Sequence, residues 1–390
     1  MNALPLIALF ALRLTPGFAF QAAAVATPDL IAGLGLDHAQ AGLVLGAFTL
    51  PGIVVTVPAG LLARRIGDRA VLAGGLALIA LGALLANRSP GFPALIGARV
   101  VAGIGGVSVL MLAIKMTADR YVGPWLSTAS AIIITSWPAG LALALVLLGP
   151  VPSALGWRAT LGLTGAPALV SMALIPFVRG GGVRVTDQAP DDARRGGPPL
   201  SFVAAAVLSW SLMNGQLTVL VGFLPGYFTA IGRSIETAAA TASLAVWTPA
   251  LAIPFGGLVA DRLLGRKAAV ILGALGTAAL LIAIPLTKGA VSVLLALGFA
   301  SALAPGPLTA QVGQATPAAA RAVVFGWYSA GSYAAMTVSP WIAGVLRDAS
   351  GDARAPLAFA AALSLGILIP YMVVLHSLAR TRQWDKQPPR

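Results

Sequence analysis

The chain has no cysteine and only two histidines in 390 residues. Disulfides, thiolate nucleophiles and cysteine-based metal sites are therefore excluded. His38 and His376 each lack a second histidine or a carboxylate at ligand spacing, so a metal site is not expected. Charge is also scarce: 9% of residues are charged, 12 acidic against 25 basic. Soluble domains carry about 25%, so this chain cannot cover itself with a hydrated surface. No GxxxxGK[ST] loop is present to cradle a nucleotide phosphate. No serine, histidine and acidic residue fall into one plausible aqueous site. What is abundant is apolar: 58% of residues are hydrophobic and the mean hydropathy is +0.90. The 45 glycines and 28 prolines do not argue for disorder, because membrane helices tolerate both. The composition is that of an all-α, multi-pass membrane protein whose first partner is the lipid bilayer, with no cofactor and no enzyme chemistry expected.

Twelve apolar stretches have the length of a membrane span: 4–26, 40–63, 70–87, 93–117, 126–148, 158–178, 201–223, 238–260, 268–286, 290–312, 322–346 and 356–378. Residues 179–200, "RGGGVRVTDQAPDDARRGGPPL", are polar and rich in glycine and proline, and read as a cytoplasmic linker. The expected organisation is a six-helix bundle over 1–178, the linker 179–200, a second six-helix bundle over 201–378 and a cytoplasmic tail 379–390. The net charge of +13 does not require nucleic acid. Its basic residues sit in short loops, sixteen on one side of the membrane and six on the other. That asymmetry puts both termini in the cytoplasm and the chain in a cell membrane. The first span lacks a basic leading region and is read as retained rather than cleaved.

The two halves echo each other. "PAGLLARRIGDRAVL" follows the second span and "PFGGLVADRLLGRKAAV" the eighth, with Gly60 and Gly257 about half the chain apart. Parallel six-span repeats are the internal symmetry of one transporter class. These residues resemble the major facilitator superfamily, whose loop signature is GxxxDRxGRR. The second copy has Gly257, Asp261, Arg262, Gly265, Arg266 and Lys267, with one extra residue before Gly265. The first copy keeps Gly60, Arg65 and Gly67 but has Arg64 where the family has aspartate and Asp68 where a basic residue is usual. Arg64 is thereby placed to pair with Asp68, in a loop that the resemblance identifies as a conformational latch. Arg99, Gly103 and Gly105 match the family's RxxxGxG in the fourth span. "GWRATLGL" and "SPWIAGVLRDASGD" add two further likenesses. Within the superfamily, "FALRLTPGF" and "LAIKMTADRY" are similar to the cyanate and nitroimidazole permease branch. The resemblance implies twelve transmembrane helices in two bundles related by pseudo-two-fold symmetry, and a monomer by default.

Three ionisable groups lie at depth within the spans, Arg13, Arg99 and Lys115, and no carboxylate accompanies them. A charge at the bilayer centre costs between about 3 and 17 kcal/mol and usually faces a cavity or a partner. Arg13 is roughly 13 Å into its helix. Gly17 and Phe20 share its face, a setting suited to a small planar anion. The opposing reading is a structural arginine capping carbonyls near Pro16. Arg99 is either a second cation on the substrate route or a hydrogen-bonding brace, and Lys115 either lines that route or snorkels to the inner interface. Neutral polar residues complete the set. The resemblance makes Asn214, Gln311 and Tyr328 lining candidates, against simple helix-to-helix hydrogen bonding. Trp137, Trp210 and Trp247 stand between lining and packing.

These residues point to a secondary or facilitative transporter of a small anion or polar organic solute, working by alternating access. The contending reading is a proton-coupled efflux antiporter for drugs or metabolites. The lack of an embedded carboxylate and the Trp137-Pro138 pair, where antiporters of this kind have Gly-Pro, both weigh against it.

Overall fold

The computed structural model describes residues 3–121, 124–178, 199–316 and 318–384. The expected linker lies almost wholly outside the described residues, as do residues 385–390, half of the charged tail. Every regular element among the described residues is helical. The first half comprises α1 (Ala3–Leu34), α2 (His38–Gly46), α3 (Gly52–Ile66), α4 (Asp68–Asn87), α5 (Phe92–Arg120), α6 (Pro124–Leu148), α7 (Val151–Gly162) and α8 (Gly165–Met172). The second comprises α9 (Leu200–Ala230), α10 (Ile235–Val259), α11 (Arg266–Leu286), α12 (Val291–Ala302), α13 (Pro305–Ala315), α14 (Ala318–Ser350), α15 (Ala355–Gly366) and α16 (Leu368–Trp384). They form twelve spans because several spans are broken. Among the described residues, seven stretches are long and apolar enough to cross a membrane, two of them, Val291–Ala315 and Ala355–Ser377, made of two helices each, and the bent pair Ile235–Ile253 and Phe255–Leu264, at 52°, makes an eighth.

The breaks have local causes. The second span was expected as one helix over 40–63, but α2 and α3 are separated by a turn at residues 47–51. Pro51 has no N–H to give Ala47, and its ring crowds that turn. The sixth span was expected from 158, yet helix begins at Val151 and is redirected at Gly156. The tenth breaks before Pro305. In the two repeated loops, Gly67 (φ 90°, ψ 149°) and Gly265 (φ 78°, ψ 144°) adopt nearly the same backbone conformation. It lies in the left-handed half of φ space that a side chain disfavours, so the sequence echo is a structural repeat.

Within the first half, α1 packs on α6 and α4 on α5; within the second, α9 packs on α14 and α10 on α12. Four helix pairs chiefly join the halves: α2 with α14, α6 with α10, α1 with α9, and α3 with α14. One hydrophobic core runs through the first half and on into Val219–Phe228, Ala238–Val246, Ala278–Leu297 and Leu357–Ala361 of the second. A smaller core around Phe202, Val270, Leu308, Tyr328 and Tyr371 stands apart. The halves are thus fused toward the end carrying loops 35–37, 231–234 and 351–354, and their cores are separate toward the other end.

Candidate functional site

The first span is built around carbonyls that prolines elsewhere have freed. Pro138 in α6 has no N–H, so the carbonyl of Ile134 loses its intrahelical donor. Arg13 supplies one. Its Nη1 donates to Ile133 O at 2.7 Å, Ile134 O at 3.1 Å and Ser136 Oγ at 3.1 Å. The proline that engages Arg13 is therefore Pro138, 125 positions on, and not the adjacent Pro16. All three bonds leave from Nη1. Nε is buried without a partner, and no carboxylate pairs with Arg13 among the described residues. Eight residues along α1, Gln21 repeats the device toward the other half. Its Nε2 donates at 2.7 Å to Val221 O, the carbonyl that Pro225 leaves without an N–H.

Gly17 is not an open patch beside Arg13. A Cβ there would lie 2.6 Å from Trp137 O and 3.4 Å from the Cα of Gly140, so the bare backbone serves the crossing of α1 and α6. Phe20 is buried between Trp137, at 5.5 Å between ring centroids, and Phe48, at 6.0 Å. Arg99 takes the bracing role. Its Nε donates to Val44 O at 3.1 Å, Nη1 to Ala19 O at 2.8 Å and Nη2 to Phe20 O at 3.1 Å, and its guanidinium lies 4.9 Å from the Phe48 ring centroid. One side chain thus ties α1, α2 and α5. Lys115 reaches the helix end, where it pairs with Asp68 at 2.8 Å and Asp119 at 3.2 Å. Asp68 is therefore engaged by Lys115 rather than by Arg64, which is exposed with Arg65 and Arg262. A Cβ at Gly60 would lie 3.0 Å from the Met111 methyl group. In the second loop, Arg266 pairs with Asp261 at 2.7 Å and also donates to Gln314 at 2.8 Å.

In the second half, Asn214 donates to Trp210 O at 2.9 Å, one turn back. Tyr328 stacks on Trp210 with centroids 5.0 Å apart and meets Phe325 edge-on at 5.7 Å. The Tyr328 hydroxyl is buried without a partner, while the Tyr371 hydroxyl and Gln311 approach each other without reaching hydrogen-bond geometry. No hydrogen bond or ring contact among the described residues joins this group to the Arg13 group. Tyr333 is the residue that approaches from the second half. Its ring sits on the bare face of Gly52, and it is near enough to Arg13 for the two to interact electrostatically. The sequence shows Tyr333 as one of several polar residues in the eleventh span. Nothing local ties it to an arginine 320 positions earlier.

The fused end carries its own polar contact. Asp348 of α14 accepts from His38 N at 3.1 Å, Ala39 N at 2.9 Å and His38 Nδ1 at 2.7 Å, and so caps the start of α2. Below it, Gly42, Gly46 and Gly344 let the α2 and α14 backbones touch, and Thr49 meets Thr337 at 3.1 Å. Close approach through small residues is the usual mode of helix association in lipid.

Comparison with known proteins gives one consistent result. The family model described as Major Facilitator Superfamily matches residues 9–229 and again 202–389. The 3-(3-hydroxy-phenyl)propionate transporter of Escherichia coli (strain K12) is 29% identical over 166 residues, 43% of this chain and 41% of that protein. The chloramphenicol resistance protein of Streptomyces lividans is 27% identical over 269 residues, 64% of each chain. The chain thus spans less than two thirds of either relative. Among solved structures, a D-xylose-proton symporter superposes with a TM-score of 0.73 at 20% identity, over 96% of both chains.

Proposed function

This chain belongs to the Major Facilitator Superfamily, and from that membership as a membrane transporter we propose that it carries a small organic anion by alternating access. The observation that carries the anion is Arg13: a buried guanidinium with no carboxylate partner and an unpaired Nε. An uncompensated cation in a low-dielectric interior favours a negative ligand. The free Nε–Nη2 edge is the one that grips a carboxylate side-on. The name of the hydroxyphenylpropionate transporter, a carrier of an aromatic acid, agrees with this. Asn214, Gln311 and Tyr328 then serve the polar or aromatic body of the solute from the second half. Arg99 acts as the brace that keeps α1 in place.

Alternating access is supported by where the halves touch. The Asp348 cap, the glycine crossing of α2 on α14 and the Gln21–Val221 bond all lie at or toward one end. The positive-inside pattern makes that end external, with both termini cytoplasmic in a cell membrane. Arg64, Arg65, Asp68, Asp261, Arg262 and Arg266 then sit on the cytoplasmic side, where the bundles separate and re-engage.

The test is flux into proteoliposomes with a panel of carboxylates, inorganic anions and lipophilic cations. Saturable carboxylate flux that is lost in Arg13→Gln is the expected result; flux of lipophilic cations alone, equal in both proteins, overturns it. A second reading, proton-coupled export of drugs or metabolites, is favoured by the likeness to the chloramphenicol resistance protein. It predicts flux of neutral aromatic compounds driven by a pH gradient and indifferent to Arg13.

A further inference from the structure

Arg13 and Tyr333 come from opposite halves of the molecule, and each keeps donors unspent. On Arg13 these are Nε, buried without a partner, and Nη2, since Nη1 makes all three of its bonds. Tyr333 is half-buried, and its hydroxyl makes no hydrogen bond among the described residues. Both side chains are held from behind. Arg13 is anchored on the carbonyls of α6, and the Tyr333 ring is seated against Gly52, where α14 leaves the turn between α2 and α3. Arg99 adds no free charge here, because each of its three nitrogens already donates to a carbonyl. One free cationic edge balances one negative charge.

We propose that Arg13 and Tyr333 form the two jaws of a single site for the carboxylate of a monovalent organic anion. The Nε–Nη2 edge takes both oxygens, and the Tyr333 hydroxyl donates to one of them. This rests on the anion reading above and narrows it to monoanions. It also makes the ligand a bridge between the bundles: loading adds a bond between halves that the empty protein lacks, and so favours closure around the site.

The test uses purified full-length protein in nanodiscs, with thermal stabilisation measured for acetate, benzoate, benzamide and sulfate. Benzoate is expected to stabilise the wild type and benzamide and sulfate are not. Tyr333→Phe is expected to weaken the benzoate Kd about tenfold, the loss of one hydrogen bond to a charged group. Arg13→Lys, which keeps the charge without the fork and guards against a misfolded Arg13→Gln, is expected to weaken it further. If Arg13→Lys loses benzoate while Tyr333→Phe binds like wild type, the Tyr333 jaw is overturned and the anion reading stands. If sulfate binds as tightly as benzoate, the monoanion assignment fails and the anion reading again stands. If benzamide equals benzoate, or no anion stabilises the wild type, the anion reading falls and the two-jaw site with it.

Discussion

The two halves share a fold and divide their polar chemistry unequally. In the first half, the deep cations are committed to structure: Arg99 entirely, Arg13 by one nitrogen, Lys115 at a helix end. In the second half, the deep polar groups are neutral, and several of them keep atoms unspent. Of eight buried side-chain polar atoms without a partner among the described residues, two are in the first half, on Arg13 and Gln21, and six in the second. A buried polar atom left unpaired costs about 1–3 kcal/mol. Leaving aside Arg347 near the end of α14, the other five, on Ser211, Gln216, Gln311, Tyr328 and Tyr371, leave the second half with more unspent hydrogen-bonding capacity than the first. The difference shows how charge in a membrane interior divides: the first half spends it on holding helices together, and the second stays adaptable.

The sharpest way to break that contrast is Arg99→Leu. Losing three charge-assisted bonds and exposing three carbonyls is expected to cost about 3 kcal/mol or more, read as a large drop in thermal midpoint. Unchanged stability with lost transport would instead make Arg99 a solute contact. Next comes Arg13→Gln combined with Pro138→Ala. The alanine restores the N–H that Ile134 O lacks, so the pair is expected to regain about 1 kcal/mol over Arg13→Gln alone without regaining anion response. Recovery of both would show that Arg13 acts only through Pro138.

Asp348 gives a smaller effect with a pH signature. It lies two residues beyond the expected eleventh span. Burial pushes its carboxyl up, but the bonds from Ala39 and His38 outweigh this and hold it below the usual range. Arg347 and Asp352 on its own side, and Asp37 at the start of α2, are the other charged groups near this contact. A depressed carboxyl stabilises closure above the ordinary carboxylate pKa of about 4, and that contribution disappears as pH falls through the lowered value. Asp348→Asn is expected to weaken closure by about 1 kcal/mol at neutral pH. Several-fold faster labelling of a cysteine placed at Ala41, buried at the fused end, would report it in this cysteine-free chain. The smallest effect belongs to Tyr371→Phe. Its hydroxyl is buried near Gln311 but short of hydrogen-bond geometry, so removal is expected to be neutral within about 0.5 kcal/mol. A loss of 1 kcal/mol or more would reveal a bound water.

Composition and the paired loops made the all-helical, twelve-span, two-bundle plan legible, because each rests on local pattern. Arg13 and Arg99 were visible because a charge in an apolar run stands out. Their partners were not. Ile134 O, Val44 O and Val221 O are backbone atoms, which any residue supplies; Ile134 O and Val221 O are singled out by a proline four residues on, and Val44 O by the end of its helix. The choice between bracing and binding at Arg13 turns on Pro138, which in the sequence stands out only as a departure from an antiporter pattern. His38 looked solitary because Asp348 is 310 positions away. The break at residues 47–51 was missed because hydropathy does not register a turn.

The proline-freed carbonyls also bear on how this protein changes over generations. Gln21 with Pro225, and Arg13 with Pro138, each join a donor in one helix to a defect in another. A substitution at either position alone strands a polar group, so single steps are expected to be penalised and the pairs to be inherited together. A relative with alanine at the position of Pro225 should then carry an apolar residue at that of Gln21. In such a lineage the two bundles would be joined there by packing alone, and ancestral reconstruction across that change would show whether the hydrogen bond came first or the proline did.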